Sequence, residues 1–354
     1  MSSAAMSLAR LPLVTLSRTG KSFPVNQGEV ILDAALRQEI WLPHACRGGT
    51  CGSCKATIVA GSVTYDEGAP LRTRQAALRS EAYLCCAKAV GDVTFDVAEL
   101  PARPIGAMYR RPARIASIAK PSRDVAIVTL KPPPNAAIRF RPGQYISLIG
   151  DDGRLHAFSI ANAPRADGTL ELHIGRVADG RFTTHVHERV QARDILRFEG
   201  PFGEFGFCND ETAVQRPAIL LAGGTGIAPI KAMLEAAEQG GMRRELHLYW
   251  GSRHRDGLYA LDQFAAKTCA RFTPVLSEPS AEDGWAGRIG FVHRAVLQDF
   301  PDLSRFDVYA CGSPGLIDAA FLDFTRRAGL PADRFFADAF HNAGTVPLAA
   351  SVAG

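Results

Sequence analysis

Apolar residues recur along this chain at two different periods, and the change of period divides it. Between residues 12 and 40, Val14 and Leu16 alternate with polar neighbours up to an Arg18-Thr19-Gly20-Lys21 turn, and Phe23 and Val25 resume the alternation beyond it. Side chains two apart share one face of a strand, so the pattern predicts a hairpin. Ile31, Leu32, Ala35 and Leu36 then follow at helical spacing. Alternating stretches return at residues 56–63 and 92–97. Residues 99–106 carry two prolines and no periodicity, and are predicted as a linker.

From residue 112 to 207 short strand-like runs at 115–118, 125–130, 144–149, 170–177 and 195–198 are separated by turn residues, the spacing of a barrel. After Gln215 the texture changes to alternation of strand and helix. An apolar run at 218–221 enters a glycine turn and a helical pattern at 230–238, and buried-looking strands follow at 245–250, 272–276 and 307–310. Residues 342–354 are small and uncharged, and are predicted as a flexible tail. No internal repeat is visible. The organisation is three modules in series.

Composition narrows the classes. A length of 354 residues suits two or three domains, and 47% hydrophobic with 21% charged residues suits packed cores. The 40 basic and 36 acidic residues are too balanced for a nucleic-acid binder. The longest uncharged stretch before the tail, residues 217–230, is too short for a membrane span of ~20 apolar residues. The start MSSAAMSLARLPLV lacks the order of a secretory signal, so neither export nor a membrane partner is expected and the cytoplasm is.

Five of the eight cysteines lie between Cys46 and Cys86; Cys208, Cys269 and Cys311 are scattered. Cys46-Arg-Gly-Gly-Thr-Cys51-Gly-Ser-Cys54 has the C-x4-C-x2-C spacing of plant-type [2Fe–2S] sites. Gly48, Gly49 and Gly52 let so short a loop turn sharply. A zinc site would use paired short spacings, which these do not form. The fourth thiolate comes from Cys85 or Cys86. Tyr83-Leu84-Cys85-Cys86-Ala87-Lys88 resembles the Leu-x-Cys-Gln setting of plant-type ferredoxins, which implies Cys85 as ligand and Cys86 in the glutamine-like place.

Arg141-Pro-Gly-Gln-Tyr145 followed by His156-Ala-Phe158-Ser159-Ile-Ala-Asn162 resembles the flavin domain of the ferredoxin–NADP reductase superfamily. The resemblance implies that Tyr145 belongs to the flavin site, that Phe158 stacks on the isoalloxazine and that Ser159 hydrogen-bonds near N5. The family arginine that binds the flavin pyrophosphate falls on His156, whose neutral ring offers one donor where guanidinium offers a cationic fork. Arg154 and Arg176 are candidate substitutes. Gly180-Arg-Phe-Thr183-Thr184 matches the family's phosphate-binding helix start, and Gly200-Pro-Phe-Gly203 its barrel-closing turn. The family branch implies FAD rather than FMN.

Ile219-Leu-Leu-Ala-Gly223-Gly224-Thr225-Gly226-Ile-Ala-Pro229 is a buried strand leading through glycines into a helix, a place where backbone and helix dipole meet a pyrophosphate. It resembles the GGTGxxP segment of the same superfamily. Tyr309-Ala-Cys311-Gly312-Ser313-Pro314 resembles its Cys-Gly-x-Pro, which implies that Cys311 and Gly312 lie beside the nicotinamide. Arg253, with Arg255, occupies the place where the family reads the adenosine ribose; NADH is the expected donor, with NADPH left open. Phe340 resembles the family's terminal aromatic near the flavin. Ser159, Cys311 and Phe340 are the implied catalytic set. His44 and His173 are expected to be hydrogen-bonded structural residues.

The resemblance covers nearly the whole chain. It implies an α+β ferredoxin (β-grasp) domain at 8–98, an antiparallel β-barrel FAD domain at 107–212 and an α/β parallel-sheet nucleotide domain at 213–341. This order is similar to the reductase components of bacterial multicomponent oxygenases and to the CDP-hexulose 3-deoxygenation reductases. The first implies an NADH-dependent monomer that passes electrons to an oxygenase component or intermediate ferredoxin of aromatic-compound metabolism. The second implies a deoxysugar pathway, and a nucleotide-binding redox sensor is the alternative of another class.

Overall fold

The alternation at Val14, Leu16 and Phe23 becomes an antiparallel pair of strands whose inward side chains are buried in one core with a helix. The computed structural model describes residues 10–340, apart from 45–48, 50–53, 68, 70–72, 74, 75, 78, 101–110, 137, 204 and 209–214. The expected tail and most of the expected linker lie outside the described residues. The chain falls into two compact units, divided after residue 104.

The first unit contains β1 (Leu13–Leu16), β2 (Ser22–Pro24), α1 (Ile31–Arg37), β3 (Lys55–Thr64), β4 (Glu81–Tyr83) and β5 (Lys88–Asp96). The strands order as β2-β1-β5-β3-β4, with β1 and β5 parallel and the remaining pairs antiparallel. On α1, Ile31, Leu32, Ala34 and Ala35 are buried with Phe23, Phe95 and Leu84. Its first amides, Ile31 and Leu32, donate to the carbonyls of Ala87 and Leu84. The helix start therefore grips the segment that carries Cys85 and Cys86.

The second unit opens with β6 (Arg111–Ser122), β7 (Val125–Lys131), β8 (Tyr145–Ile149), β9 (Leu155–Ser159), β10 (Leu170–Gly175), α2 (Arg181–Glu188) and β11 (Ile195–Phe202). The six strands pair antiparallel in the order β10-β7-β6-β11-β8-β9. An Ile160–Leu172 bridge joins the two edges, so the sheet closes as a barrel around Val128, Leu130, Ile146, Leu148 and Phe198.

The chain continues through β12 (Ala218–Gly223), α3 (Ile227–Gln239), β13 (Leu246–Ser252), α4 (Leu261–Ala265), β14 (Arg271–Leu276), β15 (Arg288–Ile289), α5 (Val292–Asp299), β16 (Asp307–Gly312), α6 (Pro314–Arg327) and β17 (Phe335–Ala339). These strands are all parallel, in the order β15-β14-β13-β12-β16-β17. Both faces are covered, which explains why β12 reads as an unbroken apolar run. Ile219 and Leu221 meet Val296 of α5 and Phe324 of α6, whereas Leu220 and Ala222 meet Ile230 and Leu234 of α3. Asp307, fully buried at the start of β16, is held by Arg216 at 2.9 Å and by Arg244. The strand order reverses between β12 and β16, the place where sheets of this kind leave a crevice for a ligand.

Candidate functional site

Pairing of β3 with β4 is what brings distant cysteines together. Lys55 sits opposite Tyr83, and the Leu84 amide donates to the Cys54 carbonyl at 3.0 Å. Cys54 and Cys85 are both buried, with their Sγ atoms 3.1 Å apart, and the Gly49 amide donates to Cys85 Sγ at 3.2 Å. Gly49 has φ +73°, a backbone that only glycine adopts cheaply. Thiolates that share a tetrahedral metal at ~2.3 Å lie about 3.8 Å from one another, so this pair suits one metal after a small side-chain shift. The half-buried Cys86 lies 3.7 Å from Cys85 Sγ. Two convergent thiols and an amide aimed at sulfur fit an iron–sulfur group. Cys46 and Cys51 lie outside the described residues.

Along β9, His156 and Phe158 share one half-buried face, on which Phe158 packs against the barrel core, and Ser159 is buried at the end of the strand. Both of those rings meet Phe182 of α2. His156 stacks on it at 4.1 Å with 9° between the planes, and Phe158 lies 5.9 Å away. Burial lowers the His156 pKa, so the ring is neutral at pH 7, and its Nε2 is buried without a hydrogen-bond partner. Gly180 caps α2 without a side-chain bond, leaving the first-turn amides for an anion. An orphaned imidazole nitrogen beside an uncapped helix start fits a flavin pyrophosphate.

Other expected flavin residues are arranged less simply. Thr183 Oγ1 accepts from the Val177 amide and donates to the Gly180 carbonyl, both at 3.1 Å, so its hydroxyl braces the turn. Arg176 reaches Glu188 at 2.8 Å, and Arg154 lies 3.6 Å from Asp152, so both candidate substitutes for the family arginine are ion-paired. Tyr145 is the register partner of Ser159 across β8 and β9, with its ring 5.6 Å from Phe202.

At the crevice of the parallel sheet the two loops touch backbone to backbone. A Cβ on Gly226 would stand 2.2 Å from the Cys311 carbonyl oxygen, and one on Gly223 would stand 2.6 Å from Leu316 Cδ2. Gly224 has φ +53°, and its carbonyl accepts from the buried Trp250 indole at 2.9 Å. Cys311 is fully buried, and burial, reinforced by Asp338, pushes its thiol pKa far up. Gly312 follows it and accepts at 2.9 Å from the amide of the half-buried Phe340. Arg253 and Arg255 are exposed beyond β13, and Arg255 donates to the Asp283 carbonyl.

The barrel abuts this crevice through β10: a Cβ on Gly175 would lie 3.3 Å from Thr225 Cγ2. His173 bonds Tyr259 at 2.7 Å and Glu171 at 3.0 Å, and His44 bonds the Leu42 carbonyl at 2.7 Å. Sequence reasoning missed Phe182, the ring against which His156 packs. Its place two residues after the Gly180 cap was the available signal. It also missed Lys231 and Glu235, whose helical spacing of four was visible but whose barrel partners were not.

Comparison with known proteins agrees with this geometry. Residues 14–90 match the family model for a 2Fe-2S iron-sulfur cluster binding domain, 112–207 that for an oxidoreductase FAD-binding domain, and 220–321 that for an oxidoreductase NAD-binding domain. The CDP-6-deoxy-L-threo-D-glycero-4-hexulose-3-dehydrase reductase of Yersinia pseudotuberculosis is 39% identical, over 92% of this chain and 98% of its own length. Terephthalate 1,2-dioxygenase reductase component 1 of Comamonas sp is 33% identical, over 92% and 96%. The solved Amycolatopsis cytochrome P450 reductase GcoB has 29% identity and a TM-score of 0.67, covering 94% of this chain and 99% of its own. The chain belongs to the iron–sulfur flavoprotein reductases that join a ferredoxin domain to FAD-binding and NAD-binding domains. It is an NAD(P)H-dependent oxidoreductase whose cofactors are a [2Fe–2S] cluster, FAD and the nicotinamide nucleotide.

Proposed function

We propose that the chain is the reductase component of a system of separate proteins, taking hydride from NADH and passing single electrons to a protein acceptor. The observation that carries this reading is the contact of Thr225 with Gly175, which sets the end of a barrel strand against the nucleotide turn. A nicotinamide gives two electrons together and a cluster accepts one, and a bound flavin takes the pair and releases it singly. The chain's own residues bind and position. His156 and the start of α2 hold a pyrophosphate, Phe158 and Ser159 face the flavin ring, and the Gly223–Gly226 turn with Gly312 receives the nucleotide. Cys46, Cys51, Cys54 and Cys85 hold the cluster.

For the acceptor, the oxygenase component of an aromatic-compound oxygenase is supported by the relative named for terephthalate dioxygenase. A second reading, a 3-dehydrase acting on a CDP-6-deoxy-hexulose, is favoured by the higher identity of the Yersinia reductase, 39% against 33%. In either reading the protein works as a cytoplasmic monomer.

Anaerobic titration with NADH, following flavin absorbance and the low-temperature EPR signal together, tests the internal route. Flavin bleaching with a rising rhombic signal is expected; bleaching with a fully loaded cluster left oxidised overturns it. Addition of a purified terephthalate-type oxygenase component or of the hexulose dehydrase then separates the acceptors by which one reoxidises the cluster. Absence of rapid cytochrome c reduction by NADH is the outcome that a redox sensor, and not a reductase, gives.

A further inference from the structure

Between the barrel and the parallel sheet lies a buried polar cluster that the proposed route does not use. Lys231, on the second turn of α3 and 3% exposed, donates to Glu171 of β10 at 2.9 Å, to Glu235 at 2.5 Å and to the Ala161 carbonyl at 3.2 Å. Glu235 also accepts from the Ala163 amide at 3.0 Å. His173 of β10 is 5% exposed, and burial lowers its pKa. A neutral ring with Nε2–H donating to Glu171 leaves Nδ1 to accept from the Tyr259 hydroxyl, which satisfies both nitrogens. Arg165 adds a bond to Glu171 at 3.1 Å. Two carboxylates thus face two cations, with no charge left over.

The placement matters more than the balance. Glu171 and Gly175 belong to one strand and stand about 13 Å apart at ~3.3 Å per residue. Thr225 and Lys231 belong to one turn-and-helix and are separated by about 9 Å at ~1.5 Å per residue. Lys231 meets Glu171, and Thr225 meets Gly175, so the same two elements are pinned at two points. The His173–Tyr259 bond falls between those two points on the barrel side, since His173 stands midway along β10, and it reaches a different segment of the nucleotide domain. Three contacts along one strand, made to two separate segments, hold the nucleotide domain against the barrel.

We infer that Lys231, Glu171, His173 and Tyr259 form a positioning bridge that sets the nucleotide domain against the flavin barrel, and so governs the geometry of hydride transfer without touching either cofactor. The inference rests on the reading above, in which NADH reduces a barrel-bound flavin. A charge network in a dry interface suits this task because it loses much of its energy when one partner is displaced, whereas apolar packing tolerates sliding.

The test uses the full-length holoprotein and the variants Lys231→Met and Tyr259→Phe, the second removing one hydroxyl at nearly constant volume. Stopped-flow bleaching of the flavin gives the limiting rate and the NADH concentration for half-saturation; hydrogen–deuterium exchange reads residues 161–163 and 171–175. The limiting rate should fall about tenfold in Lys231→Met, since small misplacements of reacting groups carry such losses. Half-saturation should change less than about twofold, and exchange should rise at those segments alone. Tyr259→Phe should move both readouts the same way by a smaller factor, and it decides the matter if Lys231→Met does not fold. Limiting rates within twofold of the parent in the folded variants overturn the inference. So does a fall explained by a matching rise in half-saturation or by lost flavin. A parent protein whose flavin NADH fails to bleach overturns the hydride reading itself, and the bridge's role with it.

Discussion

Replacing His156 by arginine separates two ways of holding an anion. In the parent the ring is neutral, stacked on Phe182 at 4.1 Å, with an orphaned buried Nε2. Hydrogen bonds from a charged donor contribute about 1.5–3 kcal/mol, and a guanidinium meets a phosphate in a fixed fork. Against this stands the lost stack, worth about 0.5–1.5 kcal/mol. Gly150 closes one side, since a Cβ there would lie 3.2 Å from His156 Nε2, so the longer side chain must extend away from it. The balance favours the variant by about 1 kcal/mol, a five- to tenfold tighter FAD dissociation constant. Titration of flavin-stripped protein, followed by flavin fluorescence, measures it. Because burial holds the parent imidazole's pKa down, acidification through that pKa should tighten FAD binding in the parent and leave His156→Arg unchanged. Equal or weaker binding by the variant refutes the assignment of His156 to the pyrophosphate.

Three further outcomes are expected. Burial alone would raise the Glu171 pKa, but bonds from His173 and Lys231 hold it at about 2 against an ordinary 4.5. Stabilisation from a lowered carboxylate is complete above about pH 4.5 and is lost as the pH falls towards about 2, so Glu171→Gln should flatten acid unfolding by up to about 3 kcal/mol across that window. Cys85→Ser should lose the bound iron and visible circular dichroism that Cys86→Ser retains; the reverse result would move the fourth ligand to Cys86. Gly226→Ala should lower the urea midpoint by the equivalent of about 1–3 kcal/mol and raise the NADH needed for half-saturation, with FAD content unchanged.

Where a segment's chemistry is local, the sequence made it legible. Three cysteines in nine residues, the glycine turn after an apolar strand and the barrel's spacing of short strands each carry their reason within a few residues, and each led to the right fold. What stayed hidden depends on pairing. β9 reads as Leu-His-Ala-Phe-Ser, with apolar residues on both faces and no clean alternation, and it becomes a strand because β8 lies beside it. β4 is three residues long and gains its meaning from Lys55 opposite Tyr83. That the Cys54 and Cys85 sulfurs come within 3.1 Å of each other follows from the same register. Arg176 and Arg154 looked available for a phosphate, and only the folded chain shows Glu188 and Asp152 already beside them. Lys231 read as one more helical lysine until β10 supplied its carboxylate.

The contact between Gly226 and the Cys311 carbonyl carries a consequence for how such an enzyme can change. At that point the turn and the end of β16 meet backbone to backbone, so any side chain added at Gly226 has to push the Cys311 carbonyl aside. Variation in the preferred nucleotide is therefore expected to enter from the rim, where the side chains of Arg253 and Arg255 are exposed. A saturation library across 223–226 and 252–256, selected for growth on either nucleotide, should return nearly invariant sequences at Gly226 and many solutions around Arg253. The centre of the site is thus frozen by its geometry, and its adaptability is confined to the margin.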